Sequence, residues 1–212
     1  MKRRNAAASR SILPNLTDLI FVCISAYLVL NYVRTILVSA QSSIPWIRDA
    51  FYLTYLLIAL ALLAIRNRAN AFTARRIEYA YTIIGFCAPL LFQPAPSIGP
   101  LLVAGSLEVA GLLLVVAAFL SLNRSFGLAP ENRGIKTNGA YGIVRHPMYL
   151  GYLLAEAGFV FDNFSSYNLI IFSISALFLV LRLRAEERLL QADTAYRKYA
   201  KKVRWRLLPM VY

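Results

Sequence analysis

Residues 147–183 read PMYLGYLLAEAGFVFDNFSSYNLIIFSISALFLVLRL, 37 residues of mostly apolar character. At 1.5 Å per residue one helix of that length would reach about 55 Å, well beyond the roughly 30 Å hydrocarbon core of a bilayer. Near the middle stand Asp162, Asn163, Ser165 and Ser166, a cluster with turn chemistry. The stretch therefore predicts a helical hairpin that crosses a membrane twice. Working outward toward the N-terminus, four further apolar runs have crossing length, at about Leu16–Val38, Ile47–Ile65, Ile77–Phe92 and Ile98–Leu122. The expected fold is an all-α integral membrane protein of about six transmembrane helices. Residues 1–100 form an N-terminal part of about three spans without a motif, and residues 101–212 form a core that carries the chemistry.

Composition agrees. Of 212 residues, 59% are hydrophobic and 16% charged, with a mean hydropathy of +0.57, against about 45–50% and 25% in soluble domains. The net charge of +13 invites a nucleic-acid reading, but the basic residues fall in clusters between apolar runs, so no nucleic-acid partner is expected. Lys2, Arg3, Arg4 and Arg10 precede the first span, and Arg66, Arg68, Arg75 and Arg76 the third. Arg124, Arg133, Lys136 and Arg145 precede the fifth, and nine more basic residues follow Leu181. The intervening loops carry only Arg48. By the positive-inside rule both termini and the 123–145 loop are expected in the cytoplasm. The first apolar run is too long for a signal-peptide core and is read as a retained span.

Cys23 and Cys87 lie inside apolar runs, so no disulfide framework is indicated. His146 is the only histidine, and a zinc site lacks its ligands. Past the hairpin, Leu189, Ala192, Tyr196, Tyr199 and Val203 recur at helical spacing, with Arg197, Lys198, Lys201 and Lys202 on other faces. This predicts an amphipathic cytoplasmic helix on the membrane surface, anchored by Trp205, Leu207, Leu208, Pro209 and Met210.

Charged groups at membrane depth are costly and point to function or to pairing. Asp18, Arg34 and Glu78 lie near span ends, where snorkelling accounts for them. Glu108 and Glu156 lie deeper, with Asn31 or Arg34 as possible partners. The densest chemistry is Gly139-Ala-Tyr-Gly-Ile-Val-Arg145-His146-Pro147-Met-Tyr149-Leu-Gly151. Pro147 fits the first helical position and leaves His146 at the N-cap, where free N–H groups favour an anion. Arg145 beside it makes a carboxylate or phosphate receptor. Tyr149 offers a ring and a hydroxyl, and Gly151 permits close approach to the backbone. At the end of the second hairpin helix stand Arg182, Arg184, Glu186 and Glu187. Arg182 and Glu186 are four apart and share a face. The hairpin brings both clusters to one side of the membrane.

Arg145-His-Pro-Met-Tyr-Leu-Gly151, preceded by Lys136-Thr-Asn-Gly139-Ala-Tyr141 and followed by Glu186-Glu187-Arg-Leu-Leu190 and Tyr196-Arg-Lys-Tyr199, resembles the isoprenylcysteine carboxyl methyltransferase family over roughly residues 101–212. The resemblance implies a multi-span membrane enzyme that uses S-adenosylmethionine without the soluble Rossmann fold, and the chain has no G-x-G-x-x-G. It further implies that Tyr141, His146, Pro147 and Tyr149 line the cofactor pocket, with Arg145 beside them and Glu187 supporting. Arg182 and Glu186 would lie at the substrate end, and Arg184 with Glu187 is the alternative register. The acceptor is then a lipid-like substrate reached laterally from the bilayer, most directly the carboxylate of an isoprenylcysteine, with the 123–145 loop as lid. Phospholipid amine methylation, sterol-type reduction and a lipid-binding scaffold are the competing readings; oligomeric state is open.

Overall fold

The computed structural model describes residues 67, 69–73, 75–93, 95, 101–127 and 129–211, together with scattered helical positions between 19 and 65. The first two expected spans lie almost wholly outside the described residues. So do Asp18, Asn31, Arg34 and Arg48.

Five α-helices run in order through the described part: α1 (Arg76–Cys87), α2 (Leu101–Leu122), α3 (Pro147–Asp162), α4 (Ser166–Leu190) and α5 (Thr194–Lys202). A two-residue antiparallel pair, β1 (Ala71–Phe72) with β2 (Glu131–Asn132), matches Ala71 to Asn132 and Phe72 to Glu131. The expected third span is α1 continued by a tighter 3₁₀ turn at Ala88–Leu91. Pro89 at the start of that turn removes an amide donor and ends the regular helix.

Among the described residues, two runs are long and apolar enough to cross a membrane: Leu102–Ser125, which is α2 and the turn after it, and Ser166–Leu190, which is α4. Leu102, Leu113 and Leu120 of α2 and Ile170 and Leu177 of α4 are exposed. An apolar outer face of this kind suits contact with lipid.

The hairpin forms where the sequence places it. Asn163 ends α3, and Ser165 caps α4 by accepting the Asn168 amide at 3.1 Å. Fully buried Asn168 ties the turn down, donating to the Asn163 and Gln93 carbonyls and accepting from the Gln93 amide. Helices α2 and α3 pack backbone to backbone. A Cβ on Gly111 would stand 2.5 Å from the Ala155 nitrogen, and one on Gly151 2.7 Å from the Gly111 carbonyl. The close approach that Gly151 permits is thus to α2, through the small-residue packing common between membrane helices.

The amphipathic helix is present but faces inward. Asp193 caps α5 through the Ala195 amide at 2.8 Å. Its apolar face, Tyr196 and Tyr199, is buried with Leu190 and Val203 against Ile135 rather than laid on lipid. Leu207, expected as an anchor, is buried with Tyr149, Leu179 and Leu183. Trp205, Leu208 and Met210 remain on the surface.

The 123–145 loop is not a free lid. Its Pro130–Arg133 stretch is buried and pinned by residues 67–73: the Asn67 amide donates to the Arg124 carbonyl at 2.6 Å and Asn70 to the Asn132 carbonyl at 2.6 Å. Gly139, at φ +62°, turns the loop against the end of α2, where a Cβ would collide with the Ser121 hydroxyl. At the same end of the molecule Glu78 of α1, buried to 3% exposure, accepts from Arg188 of α4 at 2.7 Å and from Thr73. Glu78 is thus a buried ion-pair partner, and snorkelling does not describe it.

Candidate active site

His146 precedes Pro147, the first residue of α3, and the helix start is held by the C-terminal segment. The amides of Arg145 and His146 donate to the carbonyls of Trp205 and Arg206, each at 2.9 Å. Those two amides are therefore occupied. The anion that Arg145 and His146 receive belongs to the protein itself. Glu187 Oε1 lies 2.8 Å from His146 Nε2 and 2.9 Å from Arg145 Nε, and it accepts from the Tyr196 hydroxyl at 2.5 Å. Arg206 Nε stands 3.7 Å from the other carboxylate oxygen.

Burial, then the Glu187 carboxylate, pushes the Tyr196 phenol up, so it stays a donor. Burial likewise raises Tyr199, whose hydroxyl donates to the Tyr141 carbonyl at 2.7 Å and fixes the turn at Gly139–Gly142. Tyr141 is raised too, first by burial and then by Glu186.

One turn along α3, the Tyr149 ring stacks on His146, centroids 5.4 Å apart and planes within 8°. The Tyr149 hydroxyl donates to Glu186 Oε2 at 2.6 Å, and the Arg182 guanidinium stands 5.1 Å from its ring centroid. Tyr149 therefore touches both members of the Arg182 and Glu186 pair. In the alternative register Arg184 is exposed on α4 while Glu187 is buried against His146, so the two do not meet at one point.

These residues border a cleft that is partly open to solvent. Of the residues singled out from sequence, Tyr141, Arg145, His146, Tyr149 and Glu186 line it. Pro147 is fully buried beneath it, Glu187 lies behind His146, and Arg182 reaches it through the Tyr149 ring. Glu108 and Glu156 are buried between helices and do not line it.

Residues 107–192 match the isoprenylcysteine carboxyl methyltransferase (ICMT) family. The match begins in α2, spans the loop and the hairpin, and ends just before α5. It includes every site residue named above from sequence, while Tyr196 and Tyr199, which complete the cleft, lie beyond it. No curated protein matches the chain.

The opposite wall of the cleft is not legible from sequence. Glu131 and Arg133 form an ion pair at 2.6 Å with side chains 1% and 5% exposed, and Arg133 also donates to the Asn67 carbonyl. From sequence, Arg133 reads only as a topology signal. The usable sign was two opposite charges two residues apart in a short extended segment, where they share a side.

Proposed function

We propose that this protein is an integral-membrane S-adenosylmethionine-dependent methyltransferase whose acceptor is the carboxylate of an isoprenylcysteine-type lipid. The observation that carries the reading is the Tyr149 junction. One aromatic ring stacks on His146 and meets Arg182, and its hydroxyl holds Glu186, at the rim of a cleft and within the ICMT family match. The residues suit the cofactor: tyrosine and histidine rings match an adenine and a sulfonium, and the Glu186 carboxylate offers a counter-charge. S-adenosylmethionine supplies, when bound, an electrophilic methyl group.

The protein's own part is to hold and orient. Glu187 fixes the His146 ring through Nε2, and the Tyr149 ring covers one of its faces. Tyr149 holds the Glu186 carboxylate in one place. An acceptor carboxylate is already ionised at neutral pH and needs no base. Arg182 orients it with a cation that does not withdraw the attacking lone pair. In this reading the acceptor enters laterally from lipid and the cofactor from the cytoplasm. Six spans with both termini in the cytoplasm complete the proposed topology.

A phospholipid amine acceptor is the second reading, favoured by Glu186, a carboxylate in the cleft able to take a proton. The deciding experiment incubates membranes containing the protein with methyl-labelled S-adenosylmethionine and a prenylcysteine analogue, then treats the products with alkali. Label released as methanol is the expected result. Alkali-stable label in lipid would replace the carboxylate reading with the amine one, and no incorporation would overturn both.

A further inference from the structure

The cofactor has a zwitterionic end, and the two cations that sequence offers for its carboxylate, Arg145 and His146, are both bound to Glu187. Among the described residues lining the cleft, the remaining cations are Arg133 and the exposed Lys136. Arg133 sits beside Glu131 on β2, Nε and Nη2 both 2.6 Å from Glu131 Oε2, while Nη1 donates to the Asn67 carbonyl. These contacts engage three of the five N–H donors of a guanidinium and leave two. Gly127 lies against the pair, where a Cβ would stand 3.1 Å from Glu131 Oε2 and 3.4 Å from Arg133 Nε, so a side chain there would crowd it.

A buried ion pair is weak in stabilising a fold, because desolvation cancels much of the attraction. This one is placed in the wall of a ligand cleft, with a cation fixed in orientation by three contacts. We propose that Glu131 and Arg133 recognise the α-ammonium and α-carboxylate of the cofactor's amino-acid end, the arginine taking the carboxylate and the glutamate the ammonium. The four charges then alternate in sign, so the bound ligand completes the pair instead of breaking it. The inference rests on the proposed S-adenosylmethionine site. It assigns the two ends of that ligand: rings at His146 and Tyr149, zwitterion at β2.

The test compares two probes on the purified full chain by calorimetry. S-adenosylhomocysteine carries the amino-acid end; 5′-methylthioadenosine lacks it. The wild type is expected to prefer the first by at least about tenfold, the scale of charged hydrogen bonds. Arg133→Lys keeps a charge for Glu131 but loses the fork, and Glu131→Gln loses the charge. Each is expected to cut the preference to below about threefold while leaving methylthioadenosine affinity unchanged. Variants that weaken both probes by one factor, or retain the preference, would overturn the inference, as would equal binding of both probes by the wild type, a comparison that needs no variant. If the wild type binds neither probe, the cofactor reading itself fails; if it binds both equally, only this assignment does.

Discussion

Replacing Glu187 with glutamine is the sharpest perturbation of the network behind His146. The native carboxylate accepts from Tyr196 at 2.5 Å and His146 at 2.8 Å and faces Arg145 at 2.9 Å, all buried. An amide of the same shape keeps one acceptor oxygen for Tyr196 but turns its NH2 toward donors. Arg145 is then a buried cation without a counter-charge, its remaining contacts being the Ala200 and Val203 carbonyls at 3.4 Å. Breaking a buried pair in this way costs about 3–5 kcal/mol, which for a chain of this size lowers Tm by roughly 6–20 °C. Thermal unfolding of detergent-purified protein, wild type and Glu187→Gln, at pH 7 should show that difference. A variant within 1 °C of wild type would refute the clamp.

Three further outcomes follow from the geometry. Gly111→Ala would place a methyl group 2.5 Å from the Ala155 backbone nitrogen; forcing α2 and α3 apart should cost about 1–3 kcal/mol, read as a lower unfolding midpoint. Asn168→Ala strips the Gln93 and Asn163 backbone groups of their partner and should cost about 1–3 kcal/mol, with faster amide exchange at Gln93. Tyr149→Phe keeps the ring for His146 and Arg182 but frees Glu186; stability should fall by no more than about 1.5 kcal/mol, while methyl transfer per folded molecule drops about tenfold.

Local chemistry was legible in the sequence, and long-range pairing was not. Asp162 to Ser166 marked the hairpin turn because helix ends need side-chain caps, and Ser165 supplies one. Pro147 marked the start of α3, and the four-residue spacing of Arg182 and Glu186 was enough to put both on the face that meets Tyr149. The same logic placed an anion beside Arg145 and His146 but had no means of naming it as Glu187, 41 residues on. Apolar periodicity in α5 showed which face is buried, yet periodicity does not distinguish lipid from protein, and Tyr196 and Tyr199 turned out to close the cleft. Glu131 and Arg133 escaped notice because two-residue strands carry no periodic signal, and their burial depends on the 67–73 segment crossing over them.

The central claim is that the cleft between the 125–149 region and the end of α4 holds S-adenosylmethionine. Its most direct test is amide hydrogen exchange of the purified protein with and without S-adenosylhomocysteine. The account predicts slowed exchange in peptides covering Ser125–Leu150 and Glu186–Tyr199 and unchanged exchange at the hairpin turn around Asn163. Protection confined to other segments, or none at saturating ligand, would contradict it.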